Sequence, residues 1–176
     1  MIRMLTIVAA LMFAAPAHAA VQTVSDGGFV VQTVVTTKAD PARAWKTFLK
    51  VQDWWAGSHT YSGDARNLKL DARAGGCWCE KLPRGGVVKH MEVALLIPDR
   101  TVRLLGALGP LQEMAATGAL TAQFAGAADG GSTITVTYVV NGASPGGWAP
   151  LAKAVDGVIT EQVQRYAGVA DQSAGP

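Results

Sequence analysis

The chain has 176 residues, of which 49% are hydrophobic and 16% are charged. This composition is typical of a globular protein with a buried core and excludes a disordered chain. There are 15 lysine and arginine residues against 13 aspartate and glutamate residues, and no basic stretch is interleaved with aromatic residues. Because nucleic-acid binding depends on clustered positive charge, we expect no nucleic-acid partner.

The first 19 residues have the pattern of a secretory signal peptide. Arg3 precedes an apolar run at residues 5–15, and Ala17 and Ala19 place small side chains at the two positions that a signal peptidase recognises. The run is too short to span a membrane, which takes about 20 residues. We therefore predict cleavage between Ala19 and Ala20, a periplasmic or secreted protein, and no stable membrane anchor after cleavage.

The next part of the chain predicts one strand, short helices and a loop. Residues 29–37 alternate and are rich in β-branched side chains, which is typical of a strand. Asp40 can cap a helix and Pro41 suits a first helical turn, so we expect one or two short helices up to Trp55. Residues 57–67 are polar and contain glycine, which indicates a loop.

Six further strands and a long helix complete the predicted elements. Strand patterns bounded by glycine, proline or aspartate occur at residues 68–72, 77–82, 87–97, 101–107, 119–124 and 133–140. From Pro150 to Tyr166, apolar residues recur at helical spacing. This order predicts an α+β fold in which a seven-stranded, curved antiparallel sheet wraps on the long C-terminal helix.

These elements form one predicted domain. We expect an N-terminal arm at residues 20–28, the folded domain at residues 29–168 and a flexible tail at residues 169–176. A single helix across a broad curved sheet leaves concave apolar space, where small ligands bind. We therefore expect a monomer whose partner is a small hydrophobic molecule and which needs no cofactor.

Several short segments resemble a known superfamily. They are the helix start ADPARAW at residues 39–45, the pair Trp54 and Trp55, the glycine pair at residues 75–76 and the turn IPDR at residues 97–100. With the order of elements, they resemble the START-like, helix-grip (SRPBCC) superfamily over residues 29–167, and within it the polyketide cyclase/dehydrase-like branch, in a secreted form. The resemblance implies a hydrophobic tunnel between sheet and C-terminal helix that holds a small apolar or aromatic molecule. The superfamily shares no set of catalytic residues, so the resemblance implies none here.

Aromatic residues are expected to form much of the wall of this tunnel. Tryptophan offers a large apolar area together with one polar N–H group. An alternative is that some of the tryptophans fill the core beside the short helices. Arg103 and Gln162 have two interpretations each, contact with a polar group of a ligand or exposure to water. The predicted ligand-binding residues are Trp54, Trp55, His59, Tyr61, Trp78, Glu80, Met91, Arg103, Leu151, Val155 and Gln162.

The predicted hairpin at residues 77–97 brings chemically active residues together. If its turn has an even number of residues, Cys79 lies opposite His90 and Cys77 lies opposite Glu92, with all four side chains on one face. The other face then carries Trp78, Glu80, Lys89 and Met91. A three-residue turn would shift the register by one position and separate the four residues. The alternation does not show which face points inward.

The two cysteines have three interpretations. Reduced cysteines that pack as small apolar groups are favoured, since free cysteine is often buried. A disulfide between Cys77 and Cys79 is resisted by a regular strand, in which the two Cβ atoms point in parallel, although a bulge would permit it. Two thiolates, His90 and Glu92 could also complete a tetrahedral metal shell, but metal-binding cysteines are usually separated by a turn.

Glu80 and His90 are the candidate acid or base groups. A carboxylate buried beside tryptophan and methionine would have a raised pKa, which suits a proton donor. The favoured alternative for Glu80 is a cross-strand ion pair with Lys89. The leading functional hypothesis is therefore non-covalent binding of a small hydrophobic molecule outside the cytoplasm. The alternatives are a cyclase or dehydratase that uses Glu80 or His90, and a metal or thiol redox site at Cys77, Cys79, His90 and Glu92.

Overall fold

The structure, a computed structural model, describes residues 18–173. Within this range one antiparallel sheet has eight strands in the order β1-β2-β8-β7-β6-β5-β4-β3. The strands are β1 (His18–Ser25), β2 (Gly28–Thr37), β3 (Leu68–Leu70), β4 (Cys77–Lys81), β5 (Val87–Ile97), β6 (Thr101–Gly106), β7 (Thr117–Gly126) and β8 (Ser132–Asn141). The helices are α1 (Pro41–Phe48), α2 (Val51–Trp54) and α3 (Ala149–Ser173). The predicted α+β class, with an antiparallel sheet and a long C-terminal helix, is confirmed.

The sheet has one strand more than the seven predicted. Strand β1 pairs with β2, so residues 20–25 belong to the sheet instead of forming a separate arm. The apolar residues of this strand do not alternate regularly, so no strand is predicted there, and the structure has a register shift between Val21 and Thr23. Most of the predicted signal peptide, residues 1–17, lies outside the described residues.

The C-terminal helix is also longer than predicted. It continues through Ser173, so residues 169–173 are helical where a flexible tail was expected. Ala170 is buried, and the Asp171 carboxylate accepts a hydrogen bond from the backbone N–H of Lys38 at 2.7 Å. These contacts hold the last turns of α3 against the domain. Among residues 18–173, no helix is long and apolar enough to cross a membrane.

Helix α1 begins where the sequence predicts. The Asp40 side chain accepts a hydrogen bond from the backbone N–H of Arg43 at 2.9 Å, and Pro41 occupies the first turn. The helix buries Ala44 and Phe48 in the core. Because helix α2 follows after a short turn, Trp54 and Trp55 both enter the core, with exposed fractions of 2% and 6%.

Helix α3 packs against β1, β2, α1 and α2. Its second half is fixed by polar contacts: Tyr166 donates to the Ala44 carbonyl at 2.9 Å, and Arg165 Nε donates to the Trp54 carbonyl at 3.1 Å. The first half of α3 instead faces an open space beside the far end of the sheet. Among the described residues that border this space, His90 of β5 is the one that belongs to a strand.

Gly118 allows β7 to pass over the buried ring of Tyr138. A Cβ atom at position 118 would lie 2.7 Å from Cε2 of Tyr138 and 2.6 Å from the Val139 carbonyl oxygen. The Tyr138 hydroxyl accepts a hydrogen bond from the Leu108 backbone N–H at 3.2 Å. Burial raises the pKa of Tyr138 to about 12, so this hydroxyl keeps its proton. Gly118 therefore positions a tyrosine that holds the segment after β6.

We predict that Gly118→Ala lowers the free energy of unfolding by about 1–3 kcal/mol, because the methyl group overlaps backbone and ring atoms. Gly126→Ala, at the other end of β7, is the matched control. Its Cβ would have no neighbour closer than Pro41 Cγ at 3.7 Å, so we expect a change within about 0.5 kcal/mol. Chemical denaturation of both variants measures the difference. Equal stability of the two variants would contradict the close approach at Gly118.

Candidate ligand pocket and its histidine

A pocket of about 510 Å³ lies between three parts of the chain. They are the first half of α3 (residues 151–159), the loop after α2 (residues 55–61) and the segment after β6 (residues 108–113). Its volume is within the range of about 300–1,000 Å³ that small-molecule sites occupy. Helix α3 contributes Leu151, Ala154, Val155, Val158 and Ile159 to the wall, which is mostly apolar. The other wall residues are Trp55, Ser58, His59, Thr60, Tyr61, His90, Leu108, Gly109, Pro110, Leu111 and Glu113.

Part of the predicted ligand-binding set lies in this wall. Trp55, His59, Tyr61, Leu151 and Val155 line the pocket, as does the acid or base candidate His90. The segment 108–113 was not predicted, although a glycine and a proline at positions 109 and 110 interrupt the strand pattern there. Val158 and Ile159 could have been found, because they continue the helical stripe that contains Leu151 and Val155.

The remaining predicted ligand-binding residues do not line the pocket. Trp54, Trp78 and Met91 fill the core behind it, with exposed fractions of 2%, 2% and 0%. Gln162 is fully buried, and its Oε1 accepts a hydrogen bond from the Ala56 backbone N–H at 2.7 Å. Arg103 is exposed and donates to Thr121 Oγ1 at 3.1 Å. Glu80 is buried beneath the loop and reaches the pocket only through His90.

The register of the β4–β5 hairpin explains where the candidate residues lie. Its turn, Pro83–Gly85, has three residues, and the Leu82 N–H donates to the Gly86 carbonyl. Cys79 therefore pairs with Lys89 instead of His90. The register then shifts between Trp78 and Cys79, so that Cys77 pairs with Glu92 as predicted. His90 is the extra residue of this β-bulge.

The bulge separates the predicted group of Cys77, Cys79, His90 and Glu92. Because of the extra residue, His90 and Met91 are both buried, whereas Glu92 and Lys89 are exposed on the outer face. Lys89 accordingly pairs with Glu92 at 3.3 Å, and the predicted ion pair between Lys89 and Glu80 is wrong. The four-residue metal or redox site is not assembled, and residues 18–173 contain no group of three His, Cys, Asp or Glu residues placed to hold a metal ion.

The two cysteines form a disulfide. Cys77 and Cys79 are bonded to each other, with their Cα atoms 5.3 Å apart, so the interpretation as two reduced cysteines is wrong. The Cα separation is shorter than the roughly 6.6 Å that two residues span along a regular strand. The register shift between Trp78 and Cys79 is the kind of bulge that permits this bond in a strand.

Glu80 accepts three hydrogen bonds in the interior. Its Oε2 lies 2.9 Å from His90 Nε2 and accepts from the Tyr61 backbone N–H at 3.1 Å. Its Oε1 accepts from the Ser62 backbone N–H. The Glu80 side chain is fully buried, and His90 is 6% exposed. The carboxylate thus joins the loop over the pocket to the histidine in the pocket wall.

Burial and hydrogen bonding act in opposite directions on Glu80. Burial alone would raise the pKa of this carboxyl, but the hydrogen bonds from Ser62, Tyr61 and His90 outweigh it and hold the pKa below its usual 4.5. For His90, burial lowers the pKa below the usual 6.5, although the adjacent Glu80 opposes this shift. Near neutral pH the pair therefore consists of an ionised glutamate and a neutral histidine, opposite to the raised Glu80 pKa that the sequence suggested.

Hydrogen bonds also fix the rim of the pocket. Tyr61 donates its hydroxyl to the Gly109 carbonyl at 3.2 Å, which joins the loop to the segment after β6. His59 Nε2 lies 3.3 Å from Glu161 Oε2 and joins the same loop to α3. All three walls of the pocket are thus connected at its opening.

Comparisons with known proteins show the fold. No family model and no curated protein matches the chain. Among solved structures, CV1439 from Chromobacterium violaceum is 16% identical with a TM-score of 0.57, covering 81% of this chain and 96% of that one. EF2215 from Enterococcus faecalis, a conserved protein of unknown function, is 12% identical with a TM-score of 0.59, covering 91% of this chain and 80% of that one.

A third similar structure is DynU16, a protein of the dynemicin biosynthetic locus. It is 16% identical with a TM-score of 0.56, and the match covers 82% of this chain and 48% of DynU16. At these identities the comparisons establish architecture and no activity. The class that they and the structure define is an α+β protein whose antiparallel sheet and C-terminal helix fit the helix-grip fold.

The pKa of His90 predicts a loss of stability in acid. Because the folded-state pKa is below the unfolded value of about 6.5, the unfolded chain binds a proton first as the pH falls, and the free energy of unfolding decreases. The lowered pKa of Glu80 adds a second decrease as the pH falls below about 4.5.

Chemical denaturation at pH 7.5, 6.5 and 5.5 measures the first decrease. For the wild type we expect a loss of up to about 1.4 kcal/mol per pH unit below 6.5. His90→Phe should remove most of this slope, whereas Lys89→Phe, on the outer face of the same strand, should keep it. If His90→Phe retained the wild-type slope, the assignment to His90 would be wrong.

Proposed function

We propose that the protein binds a small apolar or aromatic molecule non-covalently in the pocket beside α3. The observation that carries this proposal is the 510 Å³ space with its mostly apolar wall. Five side chains of α3 form one wall of the pocket. Trp55 in the loop after α2 and Leu111 in the segment after β6 are almost fully buried and form apolar parts of the other two walls. Transfer of an apolar molecule from water to such a surface is favourable by about 25 cal/mol per Å² of area buried.

The proposal includes a location outside the cytoplasm. The signal-peptide pattern of residues 1–19 supports it, as does the bond between Cys77 and Cys79, since disulfides persist mainly in oxidising compartments. The resemblance to the SRPBCC superfamily supports the ligand class. N-terminal sequencing of the exported protein tests the location, because a mature chain that begins at Ala20 is expected.

A pocket-filling substitution tests the binding proposal. The neutral fluorescent probe N-phenyl-1-naphthylamine should bind to the wild type with increased emission. Ala154→Trp places a large side chain in the wall, and we expect it to lower the affinity at least tenfold. Lys153→Trp is the control, because residue 153 is exposed, precedes Ala154 on the same helix and is not part of the wall.

Two results would count against binding in this pocket. One is the absence of probe binding to the wild-type protein. The other is equal affinity of the Ala154→Trp and Lys153→Trp variants, which would locate the probe elsewhere.

A second candidate function is a cyclase or dehydratase that acts on an aromatic precursor. The observation that favours it is the neutral His90 in the pocket wall with Glu80 behind it, since a histidine oriented by a carboxylate is a common general base. The occurrence of DynU16 in a biosynthetic locus is consistent with this function.

Turnover of linear aromatic polyketide precursors, followed by mass spectrometry, tests the second candidate. His90→Ala should reduce turnover by about 100-fold or more, which is the usual contribution of a general base. Glu80→Gln should also reduce it, because the amide cannot replace both oxygen acceptors of the carboxylate. Unchanged turnover in both variants would exclude the acid–base role.

A further inference from the structure

The contact with Glu80 determines which nitrogen of His90 carries the proton. Glu80 Oε2 lies 2.9 Å from His90 Nε2, and the same carboxylate accepts two backbone N–H groups. An ionised carboxylate can only accept hydrogen bonds, so Nε2 must be the donor. In the neutral imidazole, the lone pair is then on Nδ1.

The lone pair on Nδ1 has no partner within residues 18–173. His90 makes its one side-chain hydrogen bond there through Nε2. Nδ1 has no hydrogen-bond partner among these residues but is not fully buried, so part of its surface is accessible. Because the residue is only 6% exposed and lines the pocket, the accessible edge of the ring faces the pocket.

The other polar groups of the wall are already engaged or lie at the rim. The Tyr61 hydroxyl donates to the Gly109 carbonyl, and Thr60 Oγ1 donates to the Gly57 carbonyl at 2.7 Å. His59 is paired with Glu161, Trp55 Nε1 donates to the His59 carbonyl at 2.9 Å, and Ser58 and Glu113 are exposed at the rim. His90 Nδ1 is thus the polar atom of the inner wall that is available to a bound molecule.

We propose that this pocket selects apolar molecules that carry a hydroxyl donor, as a phenol or an enol does, and that His90 Nδ1 accepts the hydrogen bond from that hydroxyl. The inference rests on the proposed binding function and adds the chemical class of the ligand. A molecule with only a carbonyl or ether oxygen has no proton to donate, so its oxygen and Nδ1 would face each other as two acceptors. Both atoms would then be buried without a hydrogen bond, which is unfavourable. Glu80 acts as a positioning residue, because it fixes the tautomer and orientation of the ring.

Three naphthalene derivatives test this selectivity: 2-naphthol, 2-methoxynaphthalene and unsubstituted naphthalene. They share the same apolar body and differ in the hydroxyl donor. Isothermal titration calorimetry of the wild type should give 2-naphthol an affinity roughly 3- to 10-fold higher than that of the methyl ether, the range expected for one net hydrogen bond. Naphthalene, which is smaller than the ether, separates the loss of the donor from the added methyl group.

Variants at neighbouring positions assign the preference to His90. In His90→Phe the three affinities should agree within about twofold, because phenylalanine keeps the apolar contact and removes the acceptor. Lys89→Phe should keep the wild-type preference, since this side chain lies on the outer face of β5. Long-range proton–nitrogen NMR of the wild type at pH 7 is an independent readout that needs no variant. It should show His90 protonated at Nε2, and addition of 2-naphthol should shift the Nδ1 signal.

The outcomes distinguish the two proposals. If none of the three compounds binds to the wild type, the proposed binding function and this inference both fail. If all three bind with equal affinity, only the selectivity for hydroxyl donors fails. A preference that persists in His90→Phe, or an NMR spectrum that shows the proton on Nδ1, would also overturn the inference.

Discussion

The buried carboxylate of Glu80 is the interaction on which the candidate site depends. Its charge lies in the interior, where an ionised group is stable only if hydrogen bonds replace the lost water. Two of these bonds come from the loop over the pocket and one from the pocket histidine. Removal of any donor would leave a buried charge less compensated. The loop, strand β4 and the β-bulge in β5 are therefore held in one arrangement by a single side chain.

Much of the fold could be predicted from the sequence because the spacing of apolar residues along a strand or helix reflects which side chains are buried. All seven predicted strands and the C-terminal helix are present, and the cap at Asp40 starts α1 as expected. Strand β1 was missed since its pattern is irregular and its start coincides with the predicted signal peptide. The end of α3 was placed too early because the contact between Asp171 and Lys38 joins residues 133 positions apart, which local sequence does not reveal.

The candidate site could be predicted only in part, and the reason is register. Glu80 and His90 are the acid or base candidates in the sequence, but a turn with an even number of residues would place them on opposite faces of the hairpin. The three-residue turn pairs Glu80 with Val88, which places Glu80 and His90 on the same face, and the one-residue bulge then restores the predicted pairing of Cys77 with Glu92. Neither feature has a distinct sequence signature at these positions. Arg84, for example, adopts a φ of 60° in the turn, a conformation more common for glycine or asparagine.

The disulfide between Cys77 and Cys79 differs from most structural disulfides in the length of chain that it closes. The residues are two positions apart, and a crosslink over so short a loop removes little configurational freedom from the unfolded chain. Its contribution to global stability is correspondingly small. Its effect is local: it fixes the spacing of Cys77 and Cys79, which flank Trp78, and Cys79 directly precedes Glu80. Reduction of this disulfide would therefore change the local geometry of β4 more than the free energy of unfolding.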